Sequence, residues 1–320
     1  MEKVLITGAT GFIGANLTRF LAKKNFEVHI LIRSGSSLWR LEDIKNTISI
    51  HNVDILDKEL LIETVKEIKP NHIFHLAAYG AYPRIQTEEP KILETNVIGI
   101  DNLLQATLDI PYATFVSTGT SSEYGPKLQP IKESDILEPN TTYGASKACA
   151  TLLCQHYARR YNKPITIVRP FSVYGYYETS FRLTSDVILH CLRDADVELG
   201  SGEQKRDYIF IEDMLEAYEK IMQTKLTPGT ILNIGTGHDC SVKEIAQAIH
   251  SLINPKSKLI FGKKKDAAFD TRVSWKADIT AIKTALKWEP RTSLDIGLSK
   301  TIEWFRKNIH LYQEDSRDLI

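Results

Sequence analysis

Apolar residues along the chain fall into short runs separated by longer stretches of helical period. Lys3-Val4-Leu5-Ile6-Thr7 and the runs at 28–32, 48–50, 72–76, 114–117 and 165–168 have strand length. Between them, Phe12, Ile13, Ala15, Leu17, Phe20 and Leu21 recur at helical spacing, and helices are predicted over 60–68, 92–108 and 143–161. Strands alternating with helices imply βαβ units and a parallel sheet, and near-continuous apolar strands imply burial on both faces. The expected fold is therefore α/β, a doubly wound parallel sheet.

Past residue 170 the rhythm loosens. Residues 174–177 read as a loop and 184–192 as a helix. Residues 207–211 read as a returning strand, followed by a helix through Met222 and a strand at 231–234. Segments at 242–252, 259–261 and 298–305 suggest a smaller C-terminal α/β part. A length of 320 residues agrees with two domains at roughly 100–200 residues each. The division expected is 1–172 with 207–236 returning to it, then 173–206 with 237–312, and a frayed tail at 313–320.

Composition narrows the function classes. Lys+Arg and Asp+Glu both number 40, so no general attraction to a nucleic acid is expected. Cys149, Cys154, Cys191 and Cys240 show neither a CxxC pair nor metal-ligand spacing and read as buried, reduced thiols, with no metal expected. No apolar stretch has membrane-spanning length, and the N-terminus lacks a signal-peptide pattern. A cytoplasmic protein without membrane or nucleic-acid partners is the expectation.

Gly8-Ala9-Thr10-Gly11-Phe12-Ile13-Gly14 lies between the first strand and the first helix. Glycines there permit a tight turn, and the helix N-terminus offers free N–H groups to a pyrophosphate. Tyr143 and Lys147 are four residues apart, on one helical face. A lysine ammonium near a phenol lowers its pKa and makes it a proton donor or acceptor near neutrality.

The GxxGxxG spacing, with Tyr143-Gly144-Ala145-Ser146-Lys147, resembles the extended branch of the short-chain dehydrogenase/reductase superfamily, whose members act on nucleotide-diphosphate sugars. The resemblance continues through Asp54-Ile55, His75-Leu76-Ala77-Ala78, Asn96, Arg169-Pro170-Phe171-Ser172-Val173, the segment 206–213 and Asn233-Ile234-Gly235. It implies a Rossmann-type sheet with a smaller substrate-binding domain. It assigns catalysis to Thr120, Tyr143 and Lys147, with Ser121 as the neighbouring candidate. It assigns the dinucleotide to Gly8, Thr10, Gly11, Phe12, Ile13, Gly14, Arg33, Asp54, Ile55, Leu76, Ala77, Ala78, Asn96, Tyr143, Lys147, Pro170 and Val173. Arg206, Arg272 and Arg182 are the expected anchors of the substrate diphosphate. Tyr79, Tyr82 and Arg84 are expected to shape the sugar pocket, and a homodimer through 91–108 and 143–161 is implied.

Two features bear on the reaction. A 4,6-dehydratase of this family carries an Asp-Glu pair after the catalytic Thr, whereas here Ser121-Ser122 stand there and Glu123 follows one place late. A one-residue slip in an extended segment would turn that carboxylate away. Strand two ends in Ile32-Arg33-Ser34, without the acidic residue that holds the ribose hydroxyls of NAD. Arg33, with Ser34 and Arg40, suits a 2′-phosphate, which favours NADP(H) over NAD(H). The reading expected is an NADPH-dependent reductase of a nucleotide-linked 4-keto-6-deoxyhexose. The alternative is an NAD-dependent 4-epimerase, with dehydratase behind it. Lys263-Lys264-Lys265 reads as a solvated turn.

Overall fold

The structure is a computed structural model and describes residues 1–82, 86–265 and 275–312. Its strands are β1 (Lys3–Thr7), β2 (Glu27–Ile32), β3 (Ser49–Asn52), β4 (His72–His75), β5 (Thr114–Thr118), β6 (Ile165–Pro170), β7 (Ser172–Tyr174), β8 (Val197–Glu198), β9 (Lys205–Arg206), β10 (Tyr208–Phe210), β11 (Ile231–Ile234), β12 (Cys240–Ser241) and β13 (Leu259–Ile260). Its helices are α1 (Phe12–Ala22), α2 (Lys58–Ile68), α3 (Glu89–Leu93), α4 (Gly99–Ala106), α5 (Thr142–Tyr161), α6 (Leu183–Leu192), α7 (Ile211–Gln223), α8 (Val242–Ile253), α9 (Thr280–Leu286) and α10 (Leu294–Asn308).

Seven strands form one sheet in the order β11-β6-β5-β4-β1-β2-β3, and every pairing in it is parallel. Alternation along each strand sends side chains to opposite faces. Val4 and Ile6 of β1 join Leu17 and Leu21 of α1 and Tyr218 of α7 on one face. Leu5 joins Leu61 and Val65 of α2, Leu103 of α4 and Cys154 of α5 on the other. The doubly wound α/β fold is thus as expected. The first of these clusters continues into α6, α8 and α10, so the smaller lobe shares a core with the sheet.

Three local features differ from the sequence reading. Tyr174 closes β7, which pairs with β10, instead of opening a loop. Its ring is buried against Phe210, and its hydroxyl abuts Gly297. Ile211 begins α7 rather than ending a strand, and the acidic pair Glu212-Asp213 occupies that helix's first turn. The helix expected over 92–108 is broken by a π turn at Glu94–Ile98, between α3 and α4. Such turns insert one extra residue and re-aim a side chain, here Asn96. The thiols also differ: Cys154 and Cys191 are buried, Cys240 is half-buried, and Cys149 faces out of α5, all unpaired. No helix among the described residues is long and apolar enough to cross a membrane.

The first glycine turn depends on close backbone approach. Gly8 has φ +70°, and a Cβ on Gly14 would collide with the Gly8 carbonyl oxygen. Gly14→Ala is therefore expected to destabilise the fold by about 1–3 kcal/mol and to weaken dinucleotide binding. Thermal denaturation with and without the dinucleotide measures both. An unchanged melting temperature and an unchanged ligand-induced rise would contradict this account.

Candidate active site

The dinucleotide side is built at the carboxyl ends of β1 and β4, where the sheet order reverses. Helix α1 begins at Gly11 with no side-chain cap and no acidic residue in its first turn. Helices α2 and α8 are instead capped by Asp57 and Ser241. The N–H groups at the start of α1 therefore lack a side-chain partner, which fits a pyrophosphate. Around this cradle, Ala77 donates its N–H to the Thr7 hydroxyl at 3.3 Å. Asp54 accepts the Leu56 N–H at 2.9 Å, and buried Ile55 packs where a Cβ on Gly99 would intrude. Asn96 clamps the loop after β4: it accepts the Tyr79 N–H at 2.9 Å and donates to the Tyr79 carbonyl at 2.8 Å. It also donates to Ser146 on α5 at 2.9 Å, tying that loop to the Tyr143 helix. Pro170 ends β6, and Val173 is buried in β7.

Arg33 is exposed beyond the end of β2. Arg40 does not join it. It is buried on the Trp39 ring, and its guanidinium donates to the carbonyls of Tyr177 at 2.9 Å and Thr10 at 3.3 Å. Those carbonyls, buried in a loop crossing, satisfy its donors, so Arg40 braces the glycine loop instead of facing a 2′-phosphate.

Thr120, Ser121, Ser122 and Tyr143 line one wall of a cleft of about 920 Å³. Residues Ser121–Glu123 form a single 3₁₀ turn after β5. The Thr120 hydroxyl accepts the Ser122 N–H at 3.2 Å, while Glu123 accepts the Thr120 N–H at 3.0 Å. This reciprocal box turns the Glu123 carboxylate into the core and leaves the Thr120 side to the cleft. The carboxylate does turn away, as expected, but through a helical turn rather than an extended slip. Lys147 lies one turn along α5 from Tyr143 and is buried. Burial lowers the lysine's pKa, and Glu123 opposes that. Burial and Glu123 push the Tyr143 phenol above its ordinary range, while Thr120 and Arg182 pull it down. Burial thus outweighs the lowering expected from Lys147. His75, beneath this group, is held neutral by burial and by Lys147, at about 3. Its Nδ1 lies 2.8 Å from the Thr7 hydroxyl.

The opposite wall comes from the smaller lobe. Arg182, at the start of α6, lines the cleft and pairs through Nε with Glu178 at 3.0 Å. Glu178 is pushed by burial to about 7, with Arg182 opposing. Arg206 lines the cleft with its guanidinium 5.3 Å from the centroid of the Trp275 ring. Tyr79 does not enter the cleft lining: its hydroxyl donates to Glu88 at 3.0 Å and Lys91 caps its ring. Asn96 and Gln86 fix the backbone of that segment, and Tyr82 faces the cleft instead, packed edge-on against Phe181 at 5.2 Å. Lys264 and Lys265, read as a solvated turn, also line the cleft. Arg272, Arg84 and the tail 313–320 lie outside the described residues.

Trp275 carried no recognisable signal in the sequence. Its indole N–H donates to Ser121 at 3.1 Å, and its carbonyl accepts the Asp207 N–H at 2.9 Å. Buried Asp207 in turn accepts N–H bonds from Ala277, Thr236 and Gly237. One tryptophan therefore carries Arg206 on its face and Ser121 on its edge.

A doubly wound parallel sheet, an open helix N-terminus after β1, and Thr120 and Tyr143 at the cleft with Lys147 buried one turn along α5 fit a dinucleotide-dependent enzyme of the extended short-chain type. The chain belongs to the NAD dependent epimerase/dehydratase family, whose model matches residues 4–235. It is 32% identical to a UDP-N-acetyl-alpha-D-glucosaminuronate decarboxylase of Bacillus cytotoxicus, over 96% of this chain and 98% of that one. It is 30% identical to a UDP-glucuronate 4-epimerase of Thermodesulfobacterium geofontis, over 97% and 98%. Its fold matches a UDP-glucuronic acid 4-epimerase of Bacillus cereus, solved with UDP-glucuronic acid and NAD, with a TM-score of 0.85, 26% identity and coverage of 96% and 99%.

The two contacts of Trp275 are separable. Trp275→Phe keeps a ring under Arg206 and removes the donor to Ser121, so it should cost the fold only that hydrogen bond, about 0.5–1.5 kcal/mol. Trp275→Leu should cost more, since it also removes a cation–π contact of about 0.5–2 kcal/mol. Thermal denaturation of the two variants reads the difference. Equal melting temperatures would sink this division.

Proposed function

We propose that the protein is an NAD-dependent 4-epimerase of a UDP-sugar. The observation that carries the reading is the turn after β5, which brings Thr120 and Ser121-Ser122 to the cleft beside Tyr143 and buries its one carboxylate. Elimination of water across C5 and C6 needs an acid and a base, and this turn supplies neither. Reversible oxidation at C4 needs only one proton carrier. The similarity to a UDP-glucuronate 4-epimerase supports the same choice.

In this reading Tyr143 takes the proton of the C4 hydroxyl and later returns it. Thr120 hydrogen-bonds the same oxygen and holds it at the phenol. Lys147 stabilises the phenolate by its charge. Bound NAD supplies the hydride acceptor and a positive ring charge that favours phenolate. The residues that would hold it are those of the open α1 terminus, Asp54, Ile55, Leu76 to Ala78, Asn96, Tyr143, Lys147, Pro170 and Val173. Arg206, with Arg182 and Arg272, would take the diphosphate in bidentate fashion. The cleft, at about 920 Å³, leaves room for the 4-keto sugar to turn over before reduction on its other face.

One observation favours a second reading. Exposed Arg33 stands where NAD-selective chains place an acid, which suits NADPH and a net 4-keto reductase. Denaturing the purified protein and identifying the released dinucleotide separates the two. Incubation with UDP-glucose and UDP-glucuronate, read by proton NMR, should show the C4 epimer. From a hexuronate, the C4 ketone lies β to the carboxylate, so loss of CO₂ to a pentose would mark a decarboxylase. No conversion of either sugar would count against the epimerase. Tyr143→Phe should cut turnover about 10²–10⁴-fold.

We further infer a homodimer through α3 to α5. Leu93, Ile98 and Leu152 are 47%, 52% and 60% exposed on these helices, whereas the adjacent Leu153 packs into the core. Light scattering should give twice the chain mass, and Leu152→Asp should shift it toward the monomer. A monomeric native protein would refute this.

A further inference from the structure

Glu123 and Arg169 form an ion pair beneath the catalytic wall, with side chains 0% and 1% exposed. Arg169 Nε donates to Glu123 Oε2 at 2.7 Å, and the Thr151 hydroxyl of α5 donates to the same oxygen at 2.8 Å. The other oxygen, Oε1, accepts the backbone N–H of Thr120 at 3.0 Å. A guanidinium and a backbone amide can only donate, so the carboxylate sits in a site shaped for its ionised form. The loop makes room for it: a Cβ on Gly119 would collide with Oε1. A larger residue there would have to displace the carboxylate from the Thr120 N–H.

We propose that Glu123 is a positioning residue for the reaction at Tyr143, its carboxylate fixing the backbone that presents Thr120 and placing a negative charge beneath the Tyr143–Lys147 pair. This rests on the reading of Thr120, Tyr143 and Lys147 as the catalytic set. Stability alone explains the pair poorly. Burying two charges costs about as much as their attraction returns, and an apolar pair of similar volume often serves as well. What an apolar pair cannot do is accept the Thr120 N–H or act electrostatically on the phenol.

The charged and titratable groups around this centre are few. Arg169, Thr151, Tyr124 and Lys147 surround Glu123, Cys154 and neutral His75 lie near Lys147, and Glu133 acts on Tyr124 and Arg169 from the other side. Tyr143 also feels Tyr82 and Arg182 from the far side of the cleft. Of the two carboxylates, Glu123 is the one that raises both Tyr143 and Lys147. Removing its charge therefore favours the phenolate and shifts Tyr143 titration to lower pH.

Two substitutions separate reach from charge. Glu123→Asp keeps the charge but is one methylene too short to hold Arg169 and Thr120 together. It should lower kcat about tenfold, leave KM within about twofold and leave the acid limb of the pH profile in place. Glu123→Gln keeps the reach and removes the charge, and should move that limb to lower pH. Should the unpaired Arg169 prevent folding of Glu123→Gln, the pair Glu123→Gln with Arg169→Met removes both charges and should shift the limb in the same direction. The phenolate ultraviolet absorbance of each protein, less that of its Tyr143→Phe counterpart, follows the same titration without turnover. Variants that melt earlier yet keep kcat and the Tyr143 titration would reduce Glu123 to a structural role and overturn the proposal. Full turnover in Tyr143→Phe would instead overturn the catalytic reading beneath it.

Discussion

A seven-stranded parallel sheet exposes two apolar faces, and covering both is the constraint from which the rest of the structure follows. Alternate residues of one strand, Val4 and Ile6 against Leu5, need different partners. The crossover helices must therefore divide between the faces, α1 and α7 on one and α2, α4 and α5 on the other. Where the winding reverses, between β1 and β4, the strand ends are left open. The glycine turn, the loop clamped by Asn96 and the Tyr143 helix all converge on this opening.

Polar groups at the opening are handled one at a time. Arg40 is spent on loop carbonyls, Arg182 on Glu178, and Arg206 rests on an aromatic face. In a chain of zero formal net charge, each guanidinium around the cleft is thus placed against a specific partner rather than accumulated into a basic surface. The buried Glu123–Arg169 pair follows the same pattern beneath the Thr120–Tyr143 wall of the cleft, where low dielectric strengthens each charge.

Much of this was legible from residue patterns. The order of strands and helices follows from hydrophobic period, and Tyr143 with Lys147 follows from helical spacing plus the upstream glycines. Other features depended on contacts between distant segments. Tyr79 and Tyr82 are similar in type and neighbours in the chain, and bonds from Asn96, Gln86 and Glu88 fix the loop that turns only the second to the cleft. Arg40 and Arg33 are both basic residues near the end of β2, yet a loop crossing from Tyr177 claims the first. Trp275 lies 154 residues from Ser121, and no local pattern announces that bond.

The amino-acid order by itself determined the sheet, its winding and the family to which the chain belongs, because hydrophobic period and glycine turns are local properties of neighbouring residues. Tertiary structure alone decided the surroundings of Thr120, Tyr143 and Lys147. The direction of Glu123, the burial that governs Tyr143 and Lys147, and the platform beneath Arg206 arise where separate segments meet. At those meetings burial sets the strength of every charge, and burial is a property of the folded chain rather than of any residue in it.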